Sequence, residues 1–159
     1  MSDAVIVESV RSPGARRRGG LAHTRADEYG IQVLKGLLAR VPQVKPEDID
    51  DLIVGCSFPE AETGMNLGRI LAMGAGLPIS ASGMTVNRFC ASGLQAIADA
   101  TAKIRAGWSE IIIAGGCETM THIPMGGAAM RPHPDWKFGG SMPNVYINMG
   151  NTAESVATN

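Results

Sequence analysis

Residues 84–96 read MTVNRFCASGLQA, and this stretch decides how the rest of the chain is interpreted. A short apolar strand at residues 84–86 runs into Cys90, and a helix of small residues begins directly afterwards at Ser92. The thiol is therefore expected beside the open N-terminal end of a helix, where free N–H groups and the helix dipole favour an anion. A thiolate is the nucleophilic form of cysteine, and the same N–H groups can stabilise an oxyanion. The stretch predicts a cysteine nucleophile for acyl transfer.

The chain around this stretch alternates between strand and helix patterns. Continuous apolar runs predict strands that are buried on both faces of a parallel sheet, at residues 4–7, 52–54, 84–86 and 111–114. One-sided apolar patterns predict the intervening helices, at residues 29–38, 66–74 and 92–106. Gly107 is predicted to end the third helix in the left-handed conformation. The alternation indicates an α/β fold with right-handed crossovers, in which active residues gather beyond the carboxyl ends of the strands.

Composition excludes several classes of protein. The 159 residues are 45% hydrophobic and 18% charged with a net charge of −1, which argues against a general nucleic-acid surface. The basic run at residues 16–18 is expected to be solvated, and the alternative is that it attracts an anionic substrate. No apolar run is long enough to span a membrane. Three cysteines far apart favour a reducing compartment, so the cytoplasm is expected. Cysteines and histidines lack the spacing of a zinc site.

The chain changes character after Met120. Prolines, glycines and five methionines interleave there, and only residues 152–158 have a helical pattern. An irregular stretch of this length usually serves a site. Flexible methionines suit an adaptable apolar surface, although ordinary loop packing is the better explanation for most of the five.

Residues 86–96 resemble the nucleophile motif of the thiolases, in which a cysteine takes the acyl group of a β-ketoacyl-CoA. The wording NRFCASGLQ at residues 87–95 is closer to the degradative acetyl-CoA C-acyltransferases of fatty acid β-oxidation than to the biosynthetic branch. Further similarities follow in the family's order, namely RSP at residues 11–13, GGCETM at 115–120, HIPMGG at 122–127 and MGNTAE at 149–154.

The resemblance implies a domain organisation. Two α/β halves of a thiolase pack into a layered α/β/α/β/α architecture, and a loop domain that binds CoA leaves the first half. Residues 1–119 are then the N-terminal α/β domain without its last strand, and residues 120–159 are the beginning of the loop domain. The family's catalytic Gly-His-Pro, Cys-x-Gly-Gly-Gly and Asn-Glu-Ala-Phe motifs do not occur in this sequence, and His23, His122 and His133 stand in other contexts.

The resemblance also implies an activity and partners. Cys90 is the catalytic nucleophile for thiolytic cleavage of a 3-ketoacyl-CoA, and Met149 lines the substrate pocket, although Asn148 departs from the histidine of some members. Acyl-CoA and CoA are substrates, and neither a cofactor nor a metal is implied. A homodimer or homotetramer is expected, or a second chain that supplies the C-terminal half. We expect the isolated 159-residue chain not to turn over, because an adjacent base is needed to activate the thiol.

Alternative interpretations remain open. The reverse, biosynthetic condensation of two acetyl-CoA molecules is the second enzymatic interpretation, and a β-ketoacyl synthase is disfavoured by the motifs after Gly115. A non-catalytic thiolase-like fragment, acting as an assembly or lipid-binding module, is the alternative from another class. Cys56 and Cys117 are expected to be packing residues, since buried free cysteine is common. Glu118 is expected to make structural hydrogen bonds rather than to act directly in catalysis.

Overall fold

The computed structural model describes residues 3–137 and 140–158. The chain divides into two compact units after Ala128, and each is described by itself. Within the described residues, no helix is long and apolar enough to cross a membrane. The domain boundary expected after residue 119 stays a prediction.

The first unit is built on a parallel sheet of three strands, β1 (Asp51–Gly55), β2 (Ser82–Val86) and β3 (Ile112–Gly116). The order across the sheet is β2-β1-β3, so the first of the three strands is central. Every residue of β1 is buried, as its continuous apolar run predicts for a strand covered on both faces. The parallel α/β class is confirmed.

Helices α1 (Ala26–Arg40), α2 (Leu67–Ala75) and α3 (Ser92–Arg105) cover this sheet. The larger apolar cluster joins α1 and α2 to one face, and a smaller cluster joins α3 to the other face. One-turn 3-10 helices at Pro46–Asp48 and Ala61–Thr63 complete the connections. The three predicted helices are therefore present, with bounds that differ from the prediction by a few residues.

The ends of α2 and α3 follow local sequence rules. The Asn66 side chain accepts a hydrogen bond from the Arg69 N–H at 3.2 Å and caps the N-terminus of α2. Gly76 and Gly107 follow α2 and α3 with φ values of 89° and 74°, the left-handed conformation that glycine adopts at low cost. The prediction for Gly107 is confirmed.

Gly55, the last residue of β1, sets how closely α3 approaches the sheet. A Cβ atom placed on Gly55 would overlap the backbone of Ser92 and Gly93, the first two residues of α3. The N-terminus of α3 therefore lies directly on the carboxyl end of the central strand, and only glycine leaves room for it.

The strand predicted at residues 4–7 is wrong, because this segment forms no strand. Val5, Ile6 and Val7 are each at least 75% exposed. A strand needs a neighbour for its backbone hydrogen bonds, and this segment pairs with none of the three strands of the sheet. The segment instead lines a cavity of about 820 Å³ whose other walls include β3.

The second unit is largely irregular, as its composition predicts. It contains a one-turn 3-10 helix at Pro143–Tyr146 and a terminal helix, α4 (Met149–Thr158), which begins three residues before the predicted start. The Tyr146 hydroxyl accepts a hydrogen bond from the His133 N–H at 2.9 Å.

Candidate active site

Cys90 lies in a tight turn between β2 and α3, two residues before the helix begins. Its neighbour Phe89 has a φ of 45°, a left-handed conformation that is strained for a bulky residue. Cys90 is exposed. The turn therefore presents the thiol at the carboxyl end of β2, where the sequence predicted it.

Ser92 fastens this turn from inside. Its hydroxyl accepts a hydrogen bond from the Arg88 N–H at 2.8 Å and donates one to the Phe89 carbonyl at 2.5 Å. The Ser92 N–H also donates to the Phe89 carbonyl at 2.9 Å. Ser92 is only 3% exposed, so water cannot readily replace these bonds.

The first turn of α3 has no side-chain cap, because its N-cap residue is Ala91. Side-chain capping normally satisfies one of the N–H groups at a helix start. The N-terminus of α3 thus keeps its partial positive charge next to the Cys90 turn, and this charge favours an anion.

The Asn87 side-chain amide holds the turn from outside. Its oxygen accepts a hydrogen bond from the Phe89 N–H at 2.8 Å, and its nitrogen donates to the Ser57 carbonyl at 3.0 Å. The rings of Phe58 and Phe89 add a second contact, with centroids 6.1 Å apart. The turn that contains Cys90 is therefore connected to the loop that follows β1.

Glu118 ties the same loop to the end of β3. Its carboxylate accepts a hydrogen bond from the Ser57 N–H at 2.6 Å, and the Cys56 thiol contacts it at 3.7 Å. Its backbone carbonyl accepts the Tyr29 hydroxyl. The structural role expected for Glu118 agrees with these contacts.

The other two cysteines differ from Cys90 in burial. Cys56 and Cys117 are buried, and burial raises the pKa of both thiols, for Cys117 to about 12. Cys117 Sγ also contacts the Ala26 carbonyl at 3.3 Å. A buried thiol that stays protonated is a poor nucleophile, so both act as packing residues, as predicted.

No acid–base partner reaches the Cys90 thiol in the described part of the chain, where its Sγ makes no hydrogen bond. The same residues contain no cluster of side chains that could hold a metal ion. His122 instead joins two loops, since its ring nitrogens lie 2.9 Å from a Glu62 carboxylate oxygen and 2.8 Å from the Ala22 carbonyl.

Met149, the second predicted site residue, is the first residue of α4 in the second unit and is 68% exposed. Its role as a pocket residue stays a prediction. Asn148 caps this helix by accepting a hydrogen bond from the Asn151 N–H at 2.8 Å. The arginines at residues 16–18 are exposed, as expected of a solvated run.

Three residues of the site were missed by sequence reasoning, namely Ser57, Asn87 and Ser92. The signal for Asn87 and Ser92 was their placement three residues before and two after the cysteine, at the end of one element and the start of the next. Ser57 gave no signal, because it takes part only through its backbone groups.

Comparisons with known proteins agree with this arrangement. The profile of the thiolase N-terminal domain matches residues 4–159. The 3-ketoacyl-CoA thiolase of Bacillus subtilis (strain 168) is 44% identical over 158 residues, which are 99% of this chain and 40% of that protein. The 3-ketoacyl-CoA thiolase of Idiomarina loihiensis is 44% identical over 126 residues, or 79% of this chain and 33% of that protein. This chain thus spans about two fifths or less of the length of these relatives, and it belongs to the thiolase family, whose N-terminal domain it carries.

Proposed function

We propose that this chain carries the nucleophile of a 3-ketoacyl-CoA thiolase and that Cys90 forms a covalent acyl intermediate. The observation that carries the proposal is the contrast among the three cysteines. Cys90 is exposed in an ordered turn at the carboxyl edge of the sheet, whereas Cys56 and Cys117 are buried. The names of the Bacillus and Idiomarina relatives support the reaction class.

The proposed first half-reaction begins when the Cys90 thiolate attacks the 3-keto carbon of the substrate. The bond between C2 and C3 then breaks, and its electron pair goes to C2 of the departing acetyl-CoA, which takes up a proton. The shortened acyl group remains on Cys90 as a thioester. In the second half-reaction, the thiolate of CoA attacks this thioester and releases Cys90. Two half-reactions through a covalent intermediate imply ping-pong kinetics.

Both half-reactions develop an oxyanion next to the cysteine. The uncapped N-terminus of α3 begins two residues after Cys90 and offers N–H groups and a positive dipole end to that charge. Asn87 and Ser92 hold the turn in place, so little reorganisation is needed during the reaction.

The proton carriers are proposed to lie in the part of the relatives that this chain does not match. General acids and bases typically contribute about 10²–10⁴-fold each. The family's Gly-His-Pro histidine and Cys-x-Gly-Gly-Gly cysteine are the expected carriers. The isolated chain is accordingly expected to expose a reactive thiol without turning over.

The domain organisation is proposed on the same resemblance. Residues 1–119 are the N-terminal α/β domain and residues 120–159 begin the loop domain, with Met149 at the substrate pocket. The cavity of about 820 Å³ between the N-terminal segment and β3 is where we place the domain's last strand. A homo-oligomer and a role in β-oxidation are proposed from the resemblance, and a cytoplasmic location is proposed from the three widely spaced cysteines.

The test joins this chain to the remainder of the Bacillus relative at the end of the matched region. Release of acetyl-CoA from a 3-ketoacyl-CoA is measured for the joined protein, for its Cys90→Ala variant and for the 159-residue chain. We expect activity only in the first, with a loss of at least about 10³-fold on removal of the nucleophile. Mass spectrometry of the stalled reaction should find the acyl group on the Cys90 peptide.

Turnover by the Cys90→Ala variant, or an acyl group on Cys56 or Cys117, would overturn the proposal. So would a folded joined protein in which Cys90 stays unacylated. If the 159-residue chain released acetyl-CoA at the rate of the joined protein, the proposal that the proton carriers lie outside this chain would be refuted. The proposed role of Cys90 would still stand.

A further inference from the structure

The loops that follow all three strands meet at one residue, Ser57, through its backbone N–H and carbonyl groups. Its N–H donates to the Glu118 carboxylate at 2.6 Å, and its carbonyl accepts from the Asn87 amide at 3.0 Å. Glu118 follows β3, Ser57 follows β1 and Asn87 follows β2, so the three groups repeat the spatial order of the strands. A hydrogen bond to an ionised carboxylate is stronger than a neutral one. The contact between Glu118 and the Ser57 N–H is therefore expected to be the stronger of the two contacts at Ser57.

The Asn87 amide has only one orientation that satisfies both of its partners. The Ser57 carbonyl requires a donor and therefore faces the Asn87 nitrogen, and the Phe89 N–H requires an acceptor and therefore faces the Asn87 oxygen. A shift of the Ser57 carbonyl would therefore also disturb the contact of Asn87 with the Phe89 N–H, directly before Cys90.

Phe89 needs such support, because its φ of 45° is unfavourable for a bulky side chain. A strained conformation persists only when the surroundings over-determine it. The contacts from Asn87, Ser92 and the Phe58 ring meet that need. Of these, the Asn87 contact is the one that continues through the Ser57 backbone to Glu118 at the end of β3.

We propose that Glu118 and Asn87 are positioning residues for Cys90, which hold the Phe89 turn through the backbone N–H and carbonyl groups of Ser57. The proposal rests on the proposed function, since it assigns these residues to the alignment of the thiol with the 3-keto carbon. Neither residue hydrogen-bonds to the thiol within the described part of the chain, so both act through the backbone. A small misplacement of a reacting atom is enough to lower the rate about 10- to 100-fold.

The chain offers closely matched variants. Glu118→Gln keeps an oxygen that can accept from the Ser57 N–H, whereas Glu118→Ala removes it. Asn87→Asp keeps the acceptor for Phe89 but places an oxygen against the Ser57 carbonyl. Tyr29→Phe is the control. The Tyr29 hydroxyl donates to the backbone carbonyl of Glu118, so its removal leaves the hydrogen bond between the Glu118 carboxylate and the Ser57 N–H in place.

The first measurement is amide hydrogen exchange in the 159-residue chain, followed by NMR at Ser57 and Phe89. In Glu118→Ala and Asn87→Asp, we expect the Phe89 amide to exchange about tenfold faster relative to the core amides of β1. Glu118→Gln should stay within about twofold of the parent chain. An unchanged Phe89 amide in Glu118→Ala, or an equal acceleration in Tyr29→Phe, would overturn the proposal.

The second measurement uses the joined protein described above. We expect Glu118→Ala to lower kcat about 10- to 100-fold with little change in KM, and Glu118→Gln to restore most of it. Alkylation of Cys90 by iodoacetamide should stay within about twofold, because a small reagent needs no alignment with a bound substrate. A change in KM alone would contradict positioning. If Cys90 forms no acyl adduct in any variant, the proposed function fails, and the exchange experiment still decides whether Glu118 and Asn87 order the turn.

Discussion

The two ends of the sheet are held by different kinds of contact. At the amino end, the Lys103 ammonium lies 2.6 Å from the Asp51 carboxylate, and the Asp50 carboxylate accepts from the N–H groups of Glu110 and Ile111. At the carboxyl end, hydrogen bonds of side chains to backbone groups surround a strained residue and an exposed thiol. An ion pair distinguishes the first end, whereas side-chain-to-backbone hydrogen bonds hold the turn at the second end.

This difference predicts that the stability of the first unit and the exposure of Cys90 can be changed separately. The amino end contains an ion pair between a buried carboxylate and a lysine side chain that is 28% exposed, and its loss is expected to destabilise the whole fold. The carboxyl end stores strain at Phe89, and such strain persists only in a rigid surrounding. We therefore expect the ion pair at the amino end to contribute to the stability of the whole fold. The turn that exposes Cys90 at the carboxyl end should depend on its own hydrogen bonds.

Lys103→Met tests this separation with the largest expected effect. Asp51 is 3% exposed and one of its oxygens has no partner among the described residues, so removal of the ammonium leaves a buried charge without compensation. We expect the free energy of unfolding to fall by about 3 kcal/mol in urea titrations. Cys90 alkylation should remain within about twofold in water.

The control for this experiment is the double variant Asp51→Asn with Lys103→Met, which removes both charges. It should be more stable than Lys103→Met alone, as a double-mutant cycle would reveal. A loss below about 1 kcal/mol in Lys103→Met, or a marked change in Cys90 alkylation, would contradict the separation of the two ends.

Ser92→Ala tests the carboxyl end with an intermediate effect. The variant leaves the Arg88 N–H without its buried partner, and we expect a loss of about 2 kcal/mol in the free energy of unfolding. Thr101→Ala is the matched control in the same helix, because the exposed Thr101 hydroxyl only bonds the Ile97 carbonyl of its own helix. Equal losses in the two variants would show that Ser92 has no special part in the turn.

His122 gives the smallest effect, as a dependence of stability on pH. Both of its ring nitrogens face acceptors, so the imidazolium alone satisfies both contacts. The Ala22 carbonyl, followed by the Glu62 carboxylate, raises the pKa of His122 above its ordinary value of 6.5. Its contribution is therefore complete below pH 6.5 and is lost as the pH rises through the raised pKa.

Urea titrations between about pH 5 and pH 9 check this sign. The difference in stability between the parent chain and His122→Gln should shrink as the pH rises. Glu62→Gln, which removes the charge and keeps the size, should flatten the dependence. A difference that grows with pH would contradict the assignment.

The sequence was sufficient wherever a local rule acts. The apolar run of β1, the asparagine cap of α2 and the glycine after α3 each depend on neighbouring residues, and each was predictable or is explained by them. The position of Cys90 between a strand and a helix was also predicted. Such features follow from backbone sterics and hydrophobic periodicity, which a single segment carries within itself.

Pairing across the sheet was decided by tertiary structure alone. The apolar segment at residues 4–7 has the composition of a strand, yet it pairs with none of the three strands and lines a cavity together with β3. Ser57 likewise takes part through its backbone N–H and carbonyl, which nearly every residue possesses, so the sequence gives no side-chain signal for its role. By itself, the sequence determined the strand–turn–helix that carries Cys90, because those contacts are local. The tertiary structure decided which strands pair and which loops hold the thiol, because residues far apart along the chain meet only after folding.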